Sequence, residues 1–492
     1  MKKNFYLFIF LSIFFVYNTF TINAQQQQQQ LSLTEVIELA KTKSPRSLLA
    51  SNIKKNRFWQ YKTYLSNYNP QLVLTGTLPN LNRSIQPIVL PDGTQAFVNR
   101  SFISNDMQLG ITQNLAATGG TVSLSTALSR IDILGGTTQN TSYLSTPIFL
   151  SINQPLFQFN NLLWEKRIQP LVFQESEKKY REDLEEVSVN STDFFFNLLN
   201  AQIIYRMATR NKANNDTIYT IAKGRYEMGK IAENELLQLE LSAMNSSQQV
   251  SQANLDLQTH TLALRNFLGG SNVSNEIVLD IPENIPEFEI DESIAITQAK
   301  QNRQAFLAFK RRIIEAERDV AQARRNPQGI NIGVTGSLGF TQSAADLSNV
   351  YQNPRDQQLL SVNLRVPILD WGRQKARVQT ALANEEVIKA TISQEELNFE
   401  QEILVKTRLF KILRERLKIG LKSDEIAQKR YDITQARYLI GKISITDLTI
   451  ALNEKDQAKR SYIEALRVFW RSYYELRLLT LYDFENNIPI KN

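Results

Sequence analysis

Side chains able to do covalent or metal chemistry are few in this chain. It has one histidine, His260, and no cysteine in 492 residues. Ser–His and Cys–His catalysis and histidine-cluster metal sites therefore lack raw material, and neither a disulfide nor a Cys-linked lipid anchor can form. His260 lies in "LDLQTHTLALRNFL", a helical pattern in which it reads as an ordinary helix residue. Gly119, Gly120 and Thr121 form a turn signal rather than a phosphate cradle, and no Walker-type loop occurs. The expectation is a protein that is not an enzyme, with no catalytic residue, metal or cofactor. The net charge of +7 includes two lysines of the N-terminal leader. Acidic and basic residues are interspersed along helical stretches, which marks solvated faces and not a nucleic-acid stripe.

What the chain repeats is a phrase. "RYEMGKIAENEL" runs from Arg225 to Leu236 and "RYLIGKISITDL" from Arg437 to Leu448, an offset of 212. Pro155 in "NQPLFQF" and Pro367 in "RVPILDW" are also 212 apart. Upstream, Pro70 in "YNPQLVLTG" and Pro327 in "RNPQGINIGVTG" are 257 apart, so the first half carries about 45 extra residues between its two prolines. The chain is a tandem duplication with one enlarged region.

The N-terminus reads as an export signal. Lys2 and Lys3 precede the apolar run Phe5 to Val16, and "INAQ" supplies a cleavage context ending at Ala24. The alternative is an uncleaved anchor, for which the run is short. The expected organisation is a signal peptide over 1–24, a Gln-rich leader over 25–30, a first repeat over 31–281 and a second over 282–492.

Each half has the same grammar. A helical stretch comes first, Thr34 to Ser66 or Ser293 to Arg325. Period-two alternation follows, with strands at about 70–156 and 328–367. Ile330, Ile332, Val334, Leu338 and Phe340 alternate with small or polar residues, as do Leu360, Val362, Leu364 and Val366. In the first half Leu72 and Leu74 begin such a run, and Ile148, Leu150 and Ile152 end one. The extra material adds a hairpin turning at Gly119–Gly120. Such strands suit a membrane β-barrel, and an ordinary half-buried antiparallel sheet alternates in the same way.

Residues 171–281 and 368–488 contain no proline and are rich in helix formers. Ile392, Phe399, Ile403, Phe410, Leu413 and Leu417 follow near-heptad spacing. A helix from Arg373 to Arg437 would be roughly 100 Å long, which suggests a coiled-coil column. The repeated phrase falls at the column's breaks. Gly229 and Gly441 tolerate the positive φ that a helix end requires, so each phrase is the tip of a helical hairpin.

A duplicated chain with a signal peptide, strand pairs flanked by helices, "SINQPLFQFN" and "RVPILDWGR" leading into long helices, and an Arg-Tyr-x-x-Gly tip resembles the TolC family of outer-membrane efflux ducts. "YYELRLLTLYDF", Tyr473 to Phe484, is similar to tails in the family's Bacteroidetes branch. The resemblance implies a mixed α and β fold: a trimeric outer-membrane β-barrel continued by a long periplasmic α-helical barrel. It implies the outer-membrane channel of a tripartite efflux or type I secretion system, in contact with outer-membrane lipid. Its partners are a periplasmic membrane-fusion adaptor and, through it, an inner-membrane pump of the RND or ABC type. The matching adaptor-contact tips are Arg225, Tyr226, Gly229, Lys230 and Ile231, with Arg437, Tyr438, Gly441, Lys442 and Ile443. A periplasmic gate matches Asp447, six residues past Gly441, with Glu235 as its first-half equivalent.

There are departures from the family pattern. Ile450 stands where members carry a second carboxylate, and Ile443 where a basic gate partner is found. The extra hairpin departs from the family's usual four strands per chain. Two other readings are open at this point: a cell-surface structural or adhesive coiled-coil protein, and a secreted enzyme. The first leaves the paired strands unexplained, and the second lacks a convergent motif.

Overall fold

The structure, a computed structural model, describes residues 29–134, 140–270, 277–325 and 329–490. The expected signal peptide, the start of the Gln tract and Pro327 lie outside these. In chain order the elements are β1 (Gln29–Leu31), α1 (Leu33–Lys43), α2 (Pro45–Ser66), β2 (Gln71–Val89), β3 (Gln95–Leu115), β4 (Gly120–Ile133) and β5 (Thr141–Leu156). There follow α3 (Asn161–Glu227), α4 (Glu233–Phe267), β6 (Ile277–Leu279), α5 (Glu292–Asn302), α6 (Gln304–Arg324), β7 (Asn331–Ala344) and β8 (Arg355–Arg365). The chain ends with α7 (Arg373–Leu439), α8 (Ile445–Thr480), β9 (Tyr482–Asp483) and β10 (Ile488–Pro489). Helices α3 and α7 are both 67 residues long, and both they and the helices that follow them start 212 positions apart. No described helix is long and apolar enough to cross a membrane.

Each expected opening helix is in fact two. Ser44 has extended backbone between α1 and α2, because the residue before Pro45 is pushed out of the helical region. Arg303 takes the same conformation between α5 and α6 with no proline behind it. Its guanidinium donates to the Leu478 carbonyl at 2.7 Å and meets Glu182 at 3.3 Å, contacts that hold the break.

Two compact units result. The first comprises residues up to 53, 178–303 and 399–492. Its core confirms the near-heptad positions: Ile403, Phe410, Leu413 and Leu417 are buried, and the last three pack with Phe195, Phe196, Leu466 and Phe469. At the end of α8, Leu481 adopts φ +46 and caps the helix through its N–H to the Arg477 carbonyl. Strands β9 and β10 then pair. Beneath this tail lies a buried charge cluster. Glu185, 1% exposed, meets Lys41 at 2.7 Å and Arg477 at 3.3 Å, and Arg477 also reaches Asp483 at 2.9 Å.

The second unit, residues 54–177 and 304–398, holds one antiparallel sheet of six strands in the order β2-β3-β4-β5-β7-β8. The family's usual four strands per chain are therefore exceeded, and the hairpin turning at Gly119 is part of the sheet. Gly119 has φ +76, and a Cβ at Gly120 would approach the Asn153 carbonyl to 2.9 Å, so the turn needs both glycines.

Register decides the two faces. Leu72 pairs with Ile111, Ile111 with Leu124, Leu124 with Leu150, and Leu150 with Leu338. Val334 pairs with Val362 and Ile332 with Leu364. These apolar residues share one face with Leu360, which pairs with Gly336, and many are exposed, Leu72 at 64% and Leu360 at 75% among them. The opposite face carries Thr75, Gln108, Ser123, Ser151, Thr335 and Ser361, with the Ser123 and Ser151 hydroxyls 2.7 Å apart. An apolar face of this extent must be covered.

If lipid is the cover, as the family resemblance implies, neighbours on β8 should differ. Leu360→Arg should cost roughly 2–4 kcal/mol of folding at mid-bilayer depth. Ser361→Arg, on the polar face, should be tolerated. The yield of heat-resistant, protease-resistant protein in membrane fractions measures both. Equal yields would reject the face assignment.

Candidate functional site: the paired helical tips

Both hairpin tips lie in the first unit, and both end in the same backbone motif. Gly229 has φ +70 and Gly441 φ +75. In the first tip Lys230 N–H donates to the Arg225 carbonyl (2.9 Å) and Gly229 N–H to that of Tyr226 (2.8 Å). In the second, Lys442 N–H donates to Arg437 (3.0 Å) and Gly441 N–H to Tyr438 (2.9 Å). This paired closure of the last carbonyls is the Schellman arrangement, with glycine at its left-handed position. No atom lies within 4 Å of a Cβ built on either glycine, so only the backbone angle demands glycine here.

Equal phrases have unequal surroundings. Tyr438 is buried at 8% exposure, whereas Tyr226 is 39% exposed. Tyr438 packs into a small core, and Arg225 lies over its ring at 5.8 Å and donates from Nη2 to the Leu439 carbonyl at 2.8 Å. Leu439 sits in the last turn of α7, where carbonyls lack helical partners, so Arg225 of one tip satisfies the end of the other. Burial pushes the Tyr438 hydroxyl pKa up, against the opposing pull of Arg225. Ile231 and Ile443 turn inward onto a small core of Ile218, Leu239, Tyr431, Tyr438 and Leu448. Arg437, Lys230 and Lys442 are exposed.

A polar cluster sits above this core. Asn211 donates to Asp456 at 2.6 Å, and Lys455 reaches both Asp456 (3.1 Å) and the Asn211 side-chain oxygen (3.3 Å). The Lys455 ammonium lies 4.5 Å from the Tyr431 ring centre. Lys455 is only 8% exposed, and this set of partners is what its burial requires.

The carboxylates past the tips also differ. Asp447 closes a capping box: its N–H donates to Ser444 Oγ (3.2 Å), and its Oδ2 accepts from the Ser444 hydroxyl (2.7 Å) and N–H (3.3 Å). Glu235 occupies the same place in α4, but the N-cap there is Ala232 and no side-chain cap forms. Both carboxylates are exposed.

The profile of outer membrane efflux proteins matches residues 105–270 and 295–480, one segment in each repeat. The chain belongs to the outer membrane efflux protein family. Similar solved structures include the CmeC outer membrane channel of Campylobacter jejuni, at 18% identity over 94% of this chain and 87% of that one, TM-score 0.67. CusC, described in connection with transmembrane channel formation, matches at 14% identity over 91% of each chain, TM-score 0.63. The open-state MtrE outer membrane channel of Neisseria gonorrhoeae matches at 14% over 91% of this chain and 88% of that one, TM-score 0.59. Comparison with curated protein sequences gave no match. The fold of this efflux protein is thus that of TolC-type channels, mixed α and β and built from two tandem repeats.

Within the efflux protein, the structure brings Arg225, Tyr438 and the second tip's last turn together. It turns Ile231 and Ile443 inward and leaves Asp447 and Glu235 on the surface. Sequence reading missed Met228 and Ile440. They occupy equivalent places, one residue before each glycine, and are 62% and 66% exposed. A signal was available: an apolar residue at the end of a hairpin, on neither heptad seam, has no intrachain use.

Proposed function

We propose that this efflux protein is the outer-membrane exit duct of a tripartite efflux or type I secretion system. It is a homotrimer that performs no bond chemistry. Its helical part stands in the periplasm, and its tips meet an adaptor linked to an inner-membrane pump that supplies the energy. The observation that carries the reading is the repeated tip. Each one presents an exposed apolar residue, Met228 or Ile440, beside an exposed lysine, Lys230 or Lys442, on a turn fixed by glycine. An apolar centre with a charged rim suits docking to another protein's helical end. Outer-membrane fractionation with heat-modifiable migration tests the trimer, and photo-cross-linking from position 440 tests the adaptor. Monomers in outer-membrane extracts would reject the first claim, and absence of any cross-linked adaptor the second.

Asp447 carries the gate reading. Three copies facing one axis would form a ring of like charge that attracts cations and repels anions. Asp447→Asn removes the charge and keeps an oxygen able to accept from Ser444, so the helix start is preserved. The expected result in planar bilayers is weaker cation preference and weaker divalent block from the periplasmic side, with trimers unchanged. Unaltered selectivity in that variant takes Asp447 out of the gate.

A further inference from the structure

Resting on the trimer proposed above, we propose that all six strands of each chain enter the barrel. Strand β8 pairs with β2 of the next copy, and three chains close an eighteen-stranded barrel instead of the twelve that four strands per chain would give.

The sheet supports this in three ways. First, the apolar face does not stop at β4. Leu72 and Leu74 on β2 and Met107, Leu109 and Ile111 on β3 are exposed on the same face as Leu124, Leu150 and Leu338, in continuous cross-strand rows. A soluble flap would have no use for that row. Second, the edge strands β2 and β3 stand on the same base as the rest. Gln113 Nε2 donates to the Tyr68 carbonyl (2.8 Å), Asn114 to that of Asn67 (3.0 Å), and Asn160 to that of Ala116 (2.8 Å). The Tyr68 hydroxyl donates to the Leu162 carbonyl at 2.8 Å, so the feet of β2, β3, β4 and α3 are tied together. Third, the edges are complementary. β2 and β8 are the outer strands of the sheet, and along a six-stranded antiparallel order they run in opposite directions. The outer backbone groups of each find no partner within the chain's own sheet and cannot stay unpaired in lipid. A neighbouring copy supplies an antiparallel partner to both edges, and the ring closes with an even strand number.

The consequence is width. With strands ~4.8 Å apart and tilted ~40°, eighteen strands enclose a backbone cylinder about 36 Å across, against about 24 Å for twelve.

The chain has no cysteine, so engineered pairs report without background. In the full-length protein in outer membranes, Ser361→Cys on the polar face of β8 is combined in turn with Val73→Cys, Thr75→Cys, Thr77→Cys, Asn80→Cys and Asn82→Cys on β2. A parallel set combines it with Ser123→Cys, Ser125→Cys and Ala127→Cys on β4. Oxidation is expected to give dimers and trimers for at least one β2 position and for none on β4. Cross-links to β4 instead would mean a twelve-stranded barrel with β2 and β3 outside it, and would overturn the proposal. So would the absence of cross-links in either set while native trimers persist. Loss of the trimer itself would remove the trimer reading and this one together. A second readout needs no substitution: end-on images of detergent-purified protein should show the wider ring, and a ring near 24 Å overturns the proposal.

Discussion

Gly441→Val is expected to reduce export at least tenfold while leaving assembled trimers in the outer membrane. Gly441 holds φ +75, which a β-branched residue adopts only with severe strain. The cost of ~1–3 kcal/mol exceeds what one exposed turn can absorb in place, so the turn rearranges. With it go the two hydrogen bonds that close α7, the inward seat of Ile443 and the exposed position of Ile440. The damage stays local because no other atom approaches a Cβ at this glycine. Gly224 provides the control. It lies inside α3 with open space around it, and Gly224→Ala should export normally. Efflux assays with a trimer blot separate the cases. Normal export by Gly441→Val would remove the tip from the transport path.

Arg477→Met is expected to destabilise the helical unit by ~3–5 kcal/mol, as removal of one partner from a buried ion pair does. It leaves Glu185 with Lys41 alone and Asp483 with no cationic partner. Burial opposes the charge on Asp483, and hydrogen bonds from Asn486 together with Arg477 outweigh it, so its pKa lies below the ordinary carboxylate value. Glu475 behaves alike: burial opposes its charge, and Lys406 and Arg471 overcome that. Carboxylates with lowered folded values contribute stability above the ordinary carboxylate range and lose it as pH falls through the folded values. The unit should therefore unfold more easily in acid, with Arg477→Met less stable at neutral pH. Thermal melts of the full-length protein followed by helical circular dichroism measure both. Arg408→Met, at an exposed pair with Glu292, should leave the midpoint unchanged. A wild-type midpoint for Arg477→Met would show the cluster to be energetically idle.

Much of this architecture was legible because it is written in local terms. A left-handed turn demands glycine, so Gly229 and Gly441 announced themselves, and a buried helical seam demands apolar residues at fixed steps, so Ile403 to Leu417 did too. The break at Arg303 was not legible, since what holds it is the Leu478 carbonyl and Glu182, distant in sequence. Strand β2 was half visible: its pairing shifts register between Thr77 and Asn80, which breaks the alternation beyond Leu74. Tyr226 and Tyr438 stand in the same phrase, and nothing local says that only one will be covered. That follows from the core that Tyr438 joins and from where Arg225 reaches across the chain.

The unequal starts of the two returning helices bear on mechanics. α8 begins with the Ser444–Asp447 box and α4 with uncapped Ala232. A side-chain cap resists fraying by ~1 kcal/mol, so the second tip is the stiffer spring. In a ring of three chains, stiff and soft tips alternate around the axis. A pull from below would then bend the three first-repeat tips before the others yield. Compliance at the mouth would follow a threefold rhythm, although the backbone there comes close to sixfold.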